Sequence, residues 1–150
     1  PSLVGSEMCI RDRYWFGVDI FPPRIKGERS RATGKLRYIR SDTKLLATIR
    51  ASDFMIILHE ASRHLHKLTK KPKHRVVITS NKEIEKLVAE GHTVFAPHVV
   101  ECDPAIRPGQ QVLVVTEKDE LLAAGEAKLS AREMLECDHG MAVKVKWHVK

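Results

Sequence analysis

Hydrophobic positions along the chain fall into short runs, and their spacing separates two units. In the first, KLRYIR (35–40) and KLLATIR (44–50) flank SDT, which predicts a β-hairpin with a short turn. Leu36, Tyr38 and Arg40 then share one face, and Lys35, Arg37 and Ile39 the other. FMIIL (54–58) is uninterrupted and predicts a central strand. HEASRHLHKL (59–68) has helical spacing, with Ala61, Leu65 and Leu68 on one side. Upstream, IKGERSRATG (25–34) predicts a charged loop, and YWFGVDIFPP (14–23) a first strand or a docking segment stopped by Pro22 and Pro23. KKPK (70–73) reads as a basic linker in which Pro72 ends any helix.

The second unit alternates strand and turn signals more regularly. RVVIT (75–79) predicts a strand, and SNKE (80–83) a capping box with Ser80 as the cap and Glu83 reaching back. The helix that follows is expected to bury Ile84, Leu87 and Val88 and to end at Gly91. TVFAPHVV (93–100) predicts one strand, RPGQ (107–110) a type II turn, and VLVV with LLAAGEAKL a hairpin across EKDE. SARE (130–133) is a second capping box, and MAVKVKW (141–147) an alternating last strand. Five short strands and two capped helices predict a small, nearly closed barrel plugged at its ends. The fold class expected for the whole chain is α+β.

The first thirteen residues stand outside this pattern. Position 1 is not Met, and Leu3–Asp12 equals, residue for residue, the translation of a transposase-end adapter used in sequencing libraries. Residues 1–13 are therefore read as non-native, with the true N-terminus missing. The remainder is expected to form a basic α+β domain over 14–73 and a barrel domain over 74–150. No apolar run approaches the roughly 18 residues of a membrane helix. Cys102 and Cys137 lack any C-x-x-C context and fit a reducing, cytoplasmic setting.

Charge sharpens the division. Residues 14–73 hold 14 Lys/Arg against 5 Asp/Glu, whereas residues 74–150 hold 10 against 12. Such asymmetry points to a polyanion, most often nucleic acid. Arg29, Arg31, Lys35, Arg37, Arg40 and Lys44 cluster on the loop and hairpin, and Lys70, Lys71 and Lys73 on the linker. These residues can neutralise phosphates without reading sequence. In the second unit Gly91 allows close backbone approach, and His92, Thr93, Phe95 and His98 follow along one strand. Catalytic motifs are missing. HEASRH places its histidines five apart, not four as a zinc-protease helix requires. There is no Gly-rich phosphate loop, and no metal or cofactor is expected.

At this point the chain resembles a known family. Gly91, the Val94-Phe95-Ala96 strand, the Asp103–Gly109 turn and the Gly140–Val145 strand, in that order, resemble the PUA domain, a pseudo-barrel RNA-binding module. The version at the C-terminus of archaeal tRNA-guanine transglycosylases, enzymes of archaeosine modification, is the most similar. TGKLRYIR and LLATIRASDFMIIL resemble the small α+β domain that precedes it there. Two positions depart from the family: Pro97 stands where a Lys is common, and Asp138-His139 where basic residues are common.

The resemblance implies a tRNA-binding function without catalytic residues. It implies contact with the acceptor stem and 3′ end through the helix–strand junction at Gly91 and through the last strand, with Lys144 and Lys146. The family's catalytic part is a TIM barrel of about 250 residues, which this chain cannot contain. A barrel partner is therefore expected, on a separate subunit or upstream in the same polypeptide. The alternatives are a PUA protein of pseudouridylation or ribosome assembly, and a small hydrolase using the His-rich helix and a metal.

Overall fold

The computed structural model describes residues 16, 25–29, 31, 36–41, 44–50 and 55–149. The chain divides into two compact units, Pro1–Thr69 and Lys70–Lys150.

The first unit is a four-stranded antiparallel sheet in the order β1-β2-β3-β4 followed by helix α1. The strands are β1 (Lys26–Arg29), β2 (Leu36–Ser41), β3 (Lys44–Ile49) and β4 (Ile56–Leu58). The β2–β3 hairpin forms as expected, with Ser41 opposite Lys44. Two expectations are corrected. KGER is a strand, not a loop, because its backbone completes the open edge of β2 while its charged side chains stay wet. Among the described residues the apolar run at Ile56–Leu58 pairs only with β3 and is an edge, not the centre. Its side chains are covered from the sheet face instead: Ile39, Ala47, Ile49, Ile56 and Leu58 are buried, as are Ala61 and Leu65 of α1 (Ala61–Leu68). Leu68, expected on that face, is 53% exposed. Ser62 takes the buried place, and its hydroxyl has no hydrogen-bond partner among the described residues. The helix stops at Thr69, whose extended backbone N–H and hydroxyl both donate to Leu65 O. Of the segment 14–23 only Phe16, which is buried, is described; the remainder of that expectation lies outside the described residues, as does Lys35.

The second unit is a six-stranded sheet in the order β6-β10-β9-β8-β5-β7. Its strands are β5 (Arg75–Ile78), β6 (Val94–Phe95), β7 (Val99–Cys102), β8 (Gln111–Val115), β9 (Leu121–Ala127) and β10 (Met141–His148). The stretch 93–100 is therefore not one strand. Pro97 has no N–H to give a ladder, and a 3-10 turn over Ala96–His98 carries the chain from β6 to β7. These are the two ends of the sheet, and only three residues separate them, so the sheet must curl until its edges nearly meet. The result is a nearly closed pseudo-barrel with a buried aliphatic interior that includes Val76, Ile78, Val112, Val114 and Val143.

Two helices close this barrel, α2 (Lys82–Ala89) and α3 (Ala131–Glu136). The cap of α2 is Asn81, not Ser80: its side chain accepts from Glu83 N and Ile84 N, while the Ser80 hydroxyl donates to Glu117. Its C-terminus is a Schellman motif, with His92 N donating to Leu87 O and Gly91 N to Val88 O, and Gly91 at φ 102°. The SARE capping box is present, and Ser130 N–H and hydroxyl hold the Glu133 carboxyl below its usual range. The RPGQ turn also forms, with Gln110 N donating to Arg107 O and Gly109 at φ 91°.

Gly125 marks a tight backbone approach between β9 and β10. A Cβ placed there would lie 2.1 Å from the Lys144 carbonyl oxygen, on the strand that pairs with β9. Backbone cannot retreat from that contact as a flexible side chain can. Gly125→Ala is expected to destabilise the unit by about 2 kcal/mol, the range of overpacking. Gly109→Ala serves as the comparison: a Cβ there meets nothing, and only the cost of its positive φ, about 1 kcal/mol, applies. Guanidinium unfolding midpoints check the difference between the two.

Candidate nucleic-acid interface

The end of α2 and the start of β6 build a cleft. The Schellman turn at Gly91 leads the chain from the helix into β6. Between them lies a concave site of 320 Å³ lined by Ile84, Leu87, Val88, His92, Thr93, Val94, Phe95 and His98. His92, Thr93, Phe95 and His98, singled out from the sequence, are thus brought together. Phe95 is 48% exposed, and Leu87, expected in the core, is 45% exposed and forms the opposite wall. The ladder places Met141 of β10 directly across from Phe95, and Met141 is also exposed. Large apolar side chains left this open on a barrel surface mark a recognition site more often than a packing defect. Gly91 also packs closely: the His148 imidazole of β10 lies 2.9 Å from where its Cβ would stand, so a side chain there would push that ring aside. Lys144 and Lys146 project from the same strand and are exposed. The strict alternation expected for β10 fails at its start, where Ala142 and Val143 are both buried beside a register shift.

In the first unit the basic residues differ in how much of their charge is already engaged. Arg29, Arg31 and Lys44 are exposed. Arg37 Nη1 donates to Ile49 O at 3.1 Å, and Arg40 Nε to Glu28 Oε1 at 2.9 Å. Both guanidinium groups lie about 6 Å from the Tyr38 ring centroid, at 6.0 and 5.9 Å. On the linker Lys70 and Lys73 are exposed, whereas Lys71 Nζ sits 3.6 Å from Glu101 Oε2 and donates to Glu117 O. Lys71 is therefore in part a structural tie.

The histidines of HEASRH do not act as a group. His59 precedes α1, is half-buried with Nε2 3.5 Å from Thr48 Oγ1, and burial pushes its pKa down, which favours the neutral imidazole. Among the described residues, no three His, Cys, Asp or Glu side chains are arranged to hold a metal ion. Cys102 is buried against Ala131 O, its thiol held up by burial and by Asp103 and Glu101. Among the described residues no helix is long and apolar enough to cross a membrane.

Sequence reasoning missed Leu87, Met141 and His148. Nothing in the helical spacing separates a cleft-facing leucine from a core one, but an aromatic opposite a methionine in a short edge ladder is a signal that register alone can reveal.

A small α+β unit joined to a pseudo-barrel with an open cleft at its first helix defines the class. Residues 74–149, just over half of the chain, match the PUA domain, and residues 14–72 match the patch-forming domain C2 of tRNA-guanine transglycosylase. The chain belongs to the PUA-domain family. Its curated relatives are archaeal tRNA-guanine(15) transglycosylases: that of Methanobrevibacter smithii is 44% identical over 142 residues, covering 91% of this chain, and that of Pyrococcus abyssi 46% identical over 115 residues, covering 76%. The chain spans only 21% and 19% of those two proteins. Among solved structures, a hypothetical protein of Pyrococcus horikoshii superposes with a TM-score of 0.72 at 25% identity, covering 99% of this chain and 91% of that one. A conserved PUA-domain protein of Thermoplasma acidophilum, at 18% identity and a TM-score of 0.66, covering 98% of this chain and 87% of that one, shares the fold.

Proposed function

We propose that this chain is a non-catalytic tRNA-binding segment of an archaeosine-type tRNA-guanine transglycosylase. It positions the tRNA for base exchange by a catalytic barrel outside these residues, on another subunit or in the same polypeptide, in the cytoplasm. The observation that carries this reading is the pairing, in order, of a C2 domain and a PUA domain in one chain similar to the transglycosylases. Several features support it. The basic residues gather before the barrel, the barrel surface opens a cleft at Gly91–His98, and Lys144 and Lys146 stand on the strand closing against that cleft. In this reading the cleft takes an unstacked nucleotide against Phe95, and the lysines and arginines hold phosphates.

The test is binding of unfractionated tRNA by the whole chain, against heparin at matched salt. tRNA is expected to bind more tightly than heparin, and equal affinities reject the reading. Phe95→Ala is expected to weaken tRNA binding roughly tenfold, the loss of one stacked base. Heparin binding and the unfolding midpoint should stay unchanged, because the ring is half-exposed and pairs only at an edge. Fluorescence anisotropy titrations measure both.

A further inference from the structure

The first unit holds an arrangement that charge counting does not explain. β2 reads Arg37-Tyr38-Ile39-Arg40, and Ile39 is fully buried, which anchors the strand to the core. Tyr38 lies between the two arginines, with Arg37 Cζ at 6.0 Å and Arg40 Cζ at 5.9 Å from its ring centroid. Glu28 stands directly across from Tyr38 in the β1–β2 ladder, and its Oε1 accepts from Arg40 Nε. We infer that this cluster is a phosphate-binding site for an RNA backbone, that Tyr38 is its positioning residue, and that Glu28 is a resident carboxylate the phosphate displaces. The inference rests on the tRNA-binding reading above.

Three physical points lead there. A guanidinium carries five N–H donors, and here each spends one: Arg37 on the Ile49 carbonyl, Arg40 on Glu28. The attraction between a cation and an aromatic ring fixes a guanidinium's place without using a donor, so the ring orients both groups and leaves their remaining N–H groups available. The ring is itself half-buried and offers a base less than a full open face. Each guanidinium fork instead suits the bidentate recognition of phosphate oxygens.

Glu28 completes the argument. The Arg40–Glu28 pair is open to water, with side chains 36% and 53% exposed. Such a pair contributes little to stability and is readily exchanged. A phosphodiester arriving at Arg40 meets a carboxylate in the same place, so Glu28 must give way or repel it. The acid thus keeps Arg40 extended and ordered while no RNA is bound, at the cost of some affinity.

The test measures tRNA affinity of the whole chain between about 50 and 200 mM salt, where the slope of log affinity against log salt counts phosphate contacts. Tyr38→Phe keeps the ring and is expected to match the wild type in affinity and slope. Tyr38→Leu is expected to weaken binding about tenfold and to make the slope shallower by roughly one contact. Glu28→Gln is expected to tighten binding about threefold, the scale of an exposed ion pair. A merely structural Tyr38 would lower the active fraction and leave the slope alone, so an unchanged slope for Tyr38→Leu overturns the proposal. Should that variant fail to fold, Glu28→Gln decides: unchanged or weaker binding overturns it. A wild-type chain that binds no tRNA defeats the tRNA-binding reading and this one together. Wild-type binding with variants that behave alike defeats this one only. Parallel shifts with polyglutamate of similar length would assign the site to acidic polypeptide and overturn the RNA assignment.

Discussion

Raising salt from about 50 to 200 mM should cost this chain on the order of a thousandfold in tRNA affinity. The expectation follows from which cations are engaged within the protein and which are not. Binding a phosphate releases condensed counterions, and each contact contributes roughly 0.7 to 0.9 to the slope of log affinity against log salt. Lys71 is tied to Glu101 and to the Glu117 carbonyl, and Arg40 must first leave Glu28. Lys44, Lys70, Lys73, Lys144 and Lys146 are exposed, and none has an ion pair among the described residues. With Arg37 they give about six contacts, the low end of the range that produces such a loss. Replacing Lys144 and Lys146 together by Gln should flatten the slope by roughly 1.5 and leave the fold intact, since both project from β10 into solvent. Anisotropy titrations at four or five salt concentrations give both slopes. A slope near zero would mean that the basic face does not meet the RNA backbone at all.

Much of the local structure around the candidate cleft is legible in the sequence. The sequence pattern located the Gly91 turn, because glycine after an amphipathic helix is the usual way to end it, and it located the residues that follow as a surface. The capping box at Ser130 and the hairpin between β8 and β9 were readable for the same reason: each is decided within a few residues by local hydrogen bonding. Errors arose where a distant partner decides. Ser80 and Asn81 are both good caps, and Asn81 takes the role while the Ser80 hydroxyl meets Glu117, 37 positions away. The apolar run at Ile56–Leu58 carries no mark of edge or centre, since α1 and the sheet face bury it either way. KGER has no apolar alternation, and only the open side of β2 makes it a strand. Pro97 was visible as a departure from the family, yet its structural meaning, a corner between the two ends of a curling sheet, needs the strand order. The candidate cleft was half-read. The sequence singles out its aromatic and histidines but places Leu87 in the core, because on a helix of eight residues the core stripe and the cleft wall adjoin.

Another long-range pairing should be the costliest to break. Arg75, at the head of β5, is fully buried, a position almost never open to an arginine unless it is paired. Its Nε lies 2.8 Å from Asp119 Oδ1, and its Nη1 donates to Lys73 O at 2.8 Å. Asp119 sits in the β8–β9 turn at φ 64°, a left-handed conformation that Asp and Asn tolerate better than most residues. Asp119→Asn therefore keeps the turn's backbone preference and removes only the charge. Removing the carboxylate takes the charged partner from a buried guanidinium, and because the Asp119 side chain is itself 34% exposed the expected loss is about 2 kcal/mol, the scale of a hydrogen bond to a charged group. Replacing both, with Arg75→Met and Asp119→Asn together, should recover most of that loss, because a buried charge no longer needs an answer. Guanidinium unfolding of the two variants checks the order; a single variant as stable as the wild type would mean that Arg75 is satisfied without Asp119. The pair also bears on RNA. Arg75 grips the linker at Lys73, while Lys71 grips the same β8–β9 turn at Glu117, so one network fixes the path of the Lys70–Lys73 segment. Losing Asp119 should loosen that segment as well as the barrel, and tRNA affinity at a temperature where the variant is still folded should fall with it.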